Sequence, residues 1–308
     1  MLKIIKADGL AERKQIEDMR ARAAETGEGI NATAAAVLKD VRENGYEAVK
    51  KYSLQFDGAE PREISREELD AAYAACPKEL IEVMEQAAEN IRDYNEKLLV
   101  KTMEWQNPAG GTVGRVVRGL TRVGIYVPGG TAAYPSSVLM NAIPAKVAGV
   151  QEIIMVTPPT ANLNQAVLAA AKIAGVDRVI GGGGIQAVAA LTYGTGFIPR
   201  VDKICGPGNA YVAAAKRLVY GTIDIDMVAG PSEVLVIADE TSNPKYVAAD
   251  LLSQAEHDEL ASAVLLTTSE ELAPDSLSVP AGNHCPLSGK FRRGHCLSGS
   301  AGLCGSGQ

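Results

Sequence analysis

The residues best suited to chemistry in this 308-residue chain fall into three groups. The first is a set of loops rich in glycine and proline: Pro128-Gly129-Gly130, Thr157-Pro158-Pro159, Gly181 to Gly184, and Gly206-Pro207-Gly208-Asn209. Each follows a short apolar run and precedes a helical pattern. Glycine admits positive φ and lets a ligand approach the backbone closely. A helix N-terminus directly after such a loop offers unpaired N–H groups to a phosphate. A dinucleotide or another phosphorylated ligand fits the set. No G-x-G-x-x-G follows any of the runs, so each loop taken singly also reads as an ordinary strand-to-helix turn. The second group is S-Q-A-E-H-D-E at 253–259. Gln254 and His257 are three apart and share one face of a helix, with Asp250 one turn earlier. Imidazole nitrogen beside side-chain oxygen suits a divalent transition metal such as zinc. The same spacing describes a solvated helix end with a histidine near the C-terminal dipole, and two ligands do not complete a metal site. The third is Cys205, at the end of an apolar run. No histidine is near it in sequence, and packing accounts for it as a small buried residue.

The elements that must position these groups follow from hydrophobic periodicity. Ala34, Val37, Leu38 and Val41 recur at helical spacing, and Gly45 interrupts the pattern before Ala48, Val49 and Tyr52. Ser65 and Glu68 form a capping-box start for a helix carrying Leu69, Ala72 and Tyr73. Pro77 opens another, with Leu80, Ile81, Met84, Ala88 and Ile91 on its apolar face. From Arg122 the pattern alternates between strand and helix. Short apolar runs closed by proline or glycine at 122–130, 152–159, 178–184 and 202–208 are each followed by a helix, and further strands are expected at 233–239 and 263–268, flanking a helix from Asn243 to about Asp258. Short apolar runs without alternation fit strands buried on both faces, so the fold class is α/β with parallel sheets covered by helices.

Composition narrows the function classes. Net charge is −7, from 30 basic and 37 acidic residues, which argues against a nucleic-acid partner. No stretch approaches the ~18 apolar residues of a membrane helix, and the N-terminus lacks the pattern of a secretory signal, so a cytoplasmic location and no membrane partner are expected. Cys76 and Cys205 alone among residues 1–272 fit a reduced compartment. Residues 273–308 differ: they hold seven glycines, six serines, three prolines and three cysteines, carry +2, and leave −9 on the rest. Such a composition is expected to be disordered. The spacings of His284, Cys285, His295, Cys296 and Cys304 match no common metal pattern.

Four segments resemble the histidinol dehydrogenase family: RVGIYVPGGTAAYPSSVLMNAIPAKVAGV (122–150), KICGPGNAYVAAAKR (203–217), AGPSEVLVIAD (229–239) and DLLSQAEHD (250–258). The resemblance runs from near the N-terminus to about Leu272. It implies two Rossmann-like parallel-sheet domains, one inserted in the other: an N-terminal helical arm at 1–25, a discontinuous and incomplete substrate and zinc domain at 26–121 plus 233–272, and an NAD-binding domain at 122–232. It implies NAD and Zn2+ as cofactors and the oxidation of L-histidinol to L-histidine through an aldehyde, in a cytoplasmic homodimer. Carried over residue by residue, Tyr126, Gln186 and Asn209 are implied NAD contacts. Ser232, Gln254 and His257 are implied substrate contacts, and Gln254 with His257 two of the zinc ligands. The family's acid–base Glu-His pair, in an A-P-E-H-L-E type segment, has no matching position, so no catalytic residue is assigned. The expectation is that 273–308 is an out-of-frame tail and that this chain has lost activity. Two other readings are a related dehydrogenase of another polar alcohol, such as a sulfonated diol, and a non-catalytic NAD-binding fragment.

Overall fold

The computed structural model describes residues 3–129, 134–159, 164–228, 233–255, 262–270, 272 and 294–298. Two compact units emerge, one formed by residues 29–229 and the other by 1–28 with 230–308. One unit is thus inserted in the other, but the boundary differs from the expected one. Residues 29–121, assigned above to the substrate domain, fall in the same unit as residues 122–229.

The 29–229 unit is built on a six-stranded sheet. Its strands are β2 (Arg62–Ile64), β5 (Arg122–Tyr126), β6 (Glu152–Thr157), β7 (Arg178–Gly181), β8 (Lys203–Cys205) and β9 (Asp224–Ile225), in the spatial order β2-β7-β6-β5-β8-β9. All neighbours are parallel except the edge pair β2 and β7. Alternate residues of one strand serve opposite faces. Val123, Ile125, Ile153, Met155 and Val179 pack on one face with α2 (Arg66–Ala75), α3 (Lys78–Leu98), α4 (Pro135–Val147) and α5 (Gln165–Ala174). Tyr126, Ile154, Val156, Ile180 and Ile204 pack on the other, against α6 (Gly184–Tyr193), α7 (Ala210–Val219) and the later part of α1 (Ala11–Phe56). Burial on both faces is why these strands read as unbroken apolar runs.

Local signals explain the element ends. The long α1 is broken at Gly45, whose φ of 61° and ψ of −136° are not helical. The capping box at Ser65 and Glu68 is formed in both directions. Asn164 and Asn209 cap α5 and α7 through their side-chain oxygens. Periodicity did not indicate β2, β9 or the hairpin of β3 (Met103–Gln106) and β4 (Thr112–Arg115), which are too short or too exposed to show an apolar pattern.

The second unit contains a parallel sheet in the order β1-β12-β11-β10, with β1 at Lys3–Lys6, β10 at Glu233–Ala238, β11 at Ser262–Thr267 and β12 at Gly294–Ser298. The arm expected at 1–25 therefore contributes a strand as well as a helix. Disorder was expected throughout 273–308, yet five of those residues form β12 and pair with both β1 and β11. Strand pairing uses backbone groups that every non-proline residue carries, so composition alone did not exclude it. Helix α8 (Pro244–Ala255) packs on β10 and β11 around Val247, Leu251 and Leu265.

Candidate functional site

In an open parallel sheet the ligand crevice lies beyond the carboxyl ends of the strands, where the strand order reverses. Here the chain steps from β5 outwards to β6 and β7, then returns to the other side of β5 as β8 and β9. The reversal falls between β5 and β8. The loops bordering it are Val127-Pro128-Gly129 and Gly206-Pro207-Gly208-Asn209.

The second loop is fixed from below. Gly206 has φ of 107°, and a Cβ there would lie 2.2 Å from the Tyr126 carbonyl oxygen, so only glycine lets β8 end this close to β5. Its N–H donates to Asp226 Oδ2 at 2.7 Å, and its carbonyl accepts from Lys216 Nζ at 2.8 Å. Lys216 also donates to Asp226 Oδ1, and it is only 1% exposed. A lysine ammonium is buried only when paired and hydrogen-bonded, and here the pairing locks the loop. Lys216 lies four residues after Val212 and three before Val219, on the apolar face of α7; that misplaced charge was the available sequence signal. Cys205 is half-buried in the core, and burial, helped by the nearby Asp226 charge, pushes its thiol up to about 11. Its thiol stays protonated at neutral pH, as a packing role requires.

Tyr126, at the end of β5, is 3% exposed, and its hydroxyl accepts from the Gly184 N–H at 3.1 Å. Burial pushes its phenol up to about 12. Gln186, in the first turn of α6, is fully buried. Its Nε2 donates to Asp57 Oδ2 at 3.0 Å, and the same oxygen accepts from the Gly183 N–H at 3.1 Å. Burial raises the Asp57 carboxyl against the lowering effect of those two hydrogen bonds. Gln186 Oε1 is buried with no hydrogen-bond partner among the described residues. Asn209 is exposed, and its Oδ1 accepts from the N–H groups of Tyr211 and Val212 at 3.1 and 3.0 Å.

These bonds revise the expectation of four open helix N-termini. Asn164 caps α5, Asn209 caps α7, and Asp57 with the Tyr126 hydroxyl takes the first N–H groups of α6. Among the described residues no side-chain cap of α4 is formed, and Pro135 in its first turn brings no N–H. The glycines also have internal reasons: a Cβ on Gly183 would meet Pro158 at 2.6 Å. Beyond the ends of β6 and β7 lies an open cleft of about 1210 Å3, bordered by Asp57, Pro159, Asn164, Gly181 and Arg62.

Of the residues implied for substrate and metal, Gln254 is half-buried near the end of α8. Ser232 and His257 lie outside the described residues. Among the described residues no group of three or more His, Cys, Asp or Glu side chains could hold a metal. The described donor set therefore does not amount to a zinc site, since even an open catalytic site takes three protein ligands.

The family model described as histidinol dehydrogenase matches residues 20–278. A histidinol dehydrogenase of Clostridium acetobutylicum is 50% identical over 276 residues, covering 88% of this chain and 64% of that protein. One from Streptococcus mutans is 53% identical over 246 residues, covering 79% and 58%. The crystal structure of histidinol dehydrogenase from Elizabethkingia anophelis superposes with a TM-score of 0.80 at 34% identity, covering 96% of this chain and 70% of that one. The chain thus spans 64% and 58% of the length of the two curated relatives. With a match over most of its length, and a sheet whose order reverses between the two loops that carry the resemblance, the chain belongs to the histidinol dehydrogenase family.

Proposed function

We propose that residues 29–229 bind NAD and that residues 230–272 supply part of the site of a histidinol dehydrogenase, an NAD-dependent, zinc-containing enzyme that oxidises L-histidinol to L-histidine. The observation that carries the NAD reading is the reversal of strand order between β5 and β8, where the loops at 127–129 and 206–209 border the crevice beyond the carboxyl ends of the strands. Gln186 and Asn209 would hold the cofactor, and Tyr126 would act from beneath by fixing Gly184. When bound, NAD supplies the hydride acceptor. The Lys216–Asp226 pair keeps the 206–209 loop rigid beneath it.

Ser232, Gln254 and His257 would contact L-histidinol, and Gln254 and His257 would be two ligands of the zinc. Because the described donors are too few for zinc, no step is routed through the metal. The 308 residues carry no A-P-E-H-L-E type segment, and a positioned acid–base group contributes ~10²–10⁴-fold. This chain by itself therefore binds NAD without turning over histidinol. The six-stranded sheet of the 29–229 unit favours this reading of a binding fragment. Purified chain mixed with histidinol, NAD and zinc is expected to form no histidinol-dependent NADH, while calorimetry registers NAD binding. Robust NADH formation would overturn the assignment of the missing groups. A folded sample without NAD heat would overturn the binding reading. A homodimer and a cytoplasmic location belong to the same proposal; among the described residues no helix is long and apolar enough to cross a membrane.

A further inference from the structure

We propose that the open cleft beyond the ends of β6 and β7 takes the adenosine half of the nucleotide and that Asp57 reads its ribose: the carboxylate accepts from the 2′-hydroxyl and repels a 2′-phosphate, so the site selects NAD over NADP. This rests on the NAD reading above and goes beyond it to the residue that decides between the two cofactors, which the resemblance does not assign.

A dinucleotide lies across the crevice at the strand-order reversal, here between β5 and β8. Neighbouring strands are ~4.8 Å apart, so the ends of β6 and β7 come roughly 5 and 10 Å from β5, within reach of the adenosine half. The cleft that opens there has about 1210 Å3, ample beside the ~300–1,000 Å3 of ordinary ligand pockets. Its wall offers two kinds of surface. Ala71 and Ala75 of α2, Leu80 of α3 and Pro159 are small or apolar and leave room for a flat base. The charged part consists of Asp57, Glu60, Arg62 and Glu68. Arg62 donates to both oxygens of Glu68, at 2.9 and 2.7 Å, and Glu60 lies 2.9 Å from Lys50. Asp57 has no cationic partner among the described residues. Its Oδ2 is committed to the Gly183 N–H and the Gln186 NH2, and Oδ1 receives no bond among the described residues. The two N–H donors favour the ionised form, and an ionised carboxylate oxygen can only accept. A ribose hydroxyl supplies the donor that Oδ1 lacks. A phosphate ester in its place sets negative charge against a carboxylate with no cation to offset it. In doubly wound dinucleotide sites an acidic residue commonly takes this hydroxyl. Here residues 157–165 and 181–187, which follow β6 and β7, contain no Asp or Glu. Asp57, arriving from the end of α1, supplies the carboxylate that those loops lack.

The test is calorimetric titration of the full chain with NAD and with NADP, with thermal melting to verify the fold. Wild type is expected to bind NADP at least about 10-fold more weakly than NAD. In Asp57→Asn the side-chain carbonyl oxygen keeps the bonds from Gly183 and Gln186, so the loop stays in place while the charge leaves the cleft. NAD affinity is expected to fall by roughly 10-fold, the worth of a hydrogen bond to a charged group. NADP affinity should not fall, so the two cofactors end within about 3-fold of each other. A merely structural carboxylate would weaken both cofactors together and leave their ratio standing. ADP and 2′-deoxy-ADP read the same contact in wild type, which keeps the test in force if Asp57→Asn does not fold. The deoxy form is expected to bind roughly 10-fold more weakly than ADP. Wild type that binds NAD and NADP alike, or ADP and 2′-deoxy-ADP alike, would overturn this inference alone. So would a folded Asp57→Asn that keeps the preference for NAD. Wild type that takes up no NAD would overturn the function reading first and this inference with it.

Discussion

The two sheets of this chain are built from similar apolar strands and meet very different fates. In the six-stranded sheet, β5, β6 and β7 are buried from their second residue to their last, with helices on both faces. In the four-stranded sheet, β10 and β11 alternate. Leu235 and Ile237 of β10 are 59% and 73% exposed, although the run EVLVIA reads as a doubly buried strand. Among the described residues, α8 packs on one face of that sheet, and its core is confined to a handful of side chains around Leu265. A parallel sheet normally has both faces covered. An exposed apolar edge strand is an open template for association. Similar apolar strands thus pair alike, while helices elsewhere in the chain decide whether a strand becomes core or surface.

The largest break in that contrast should come from Ile154→Ala. Ile154 is fully buried in the six-stranded sheet, and the truncation is expected to cost ~2–5 kcal/mol, read as a lower urea midpoint at unchanged slope. A loss below about 1 kcal/mol would mean that this core is far looser than its burial implies.

A smaller effect concerns acid. Asp40 is lowered to about 2 by its hydrogen bonds from Lys51, Asn44 and Tyr52. Its folded value lies below the ordinary 3.8, so the stability it contributes is present above that pH and is lost as pH falls through about 2. Glu63, beside Arg178, and Glu68, beside Arg62, are shifted in the same direction. Urea midpoints followed from neutral pH to pH 2 should drop on acidification, and Asp40→Asn should flatten part of the drop. Parallel curves for the two proteins would remove Asp40 from the account.

The smallest effect on stability should come from Ile237→Lys. A charge on the open face costs nothing in packing, so stability should stay within ~0.5 kcal/mol. Light scattering at high concentration should nevertheless fall, because lysine on an edge strand opposes association. Strong destabilisation would show that the face is covered.

Much of the architecture was legible in sequence because it is encoded locally. Apolar runs marked β5 to β8, β10 and β11; Ser65 with Glu68 marked α2; Gly45 marked the break in α1. The domain boundary was not legible. Whether residues 29–121 join one sheet or the other depends on tertiary contacts such as α2 on α5 and α3 on α4. The site was legible as loops and as family motifs, but its supporting chemistry was not. Asp57 acquires its role only through partners 126 and 129 residues away. Lys216 reads as one more surface charge unless its place on the apolar face of α7 is noticed.

The central proposal is that the six-stranded sheet of the 29–229 unit binds a nucleotide, whereas the four-stranded sheet has, among the described residues, a helix on one face only. Hydrogen exchange of the full chain with and without NAD tests both halves at once. The amides of β5, β6 and β7 should exchange slowly and those of β10 quickly, as local stability follows burial. NAD should add protection at 126–129, 183–186 and 206–211 and leave β10, α8 and β11 unchanged. Equal exchange in the two sheets, or NAD protection absent from those three loops, would contradict the account.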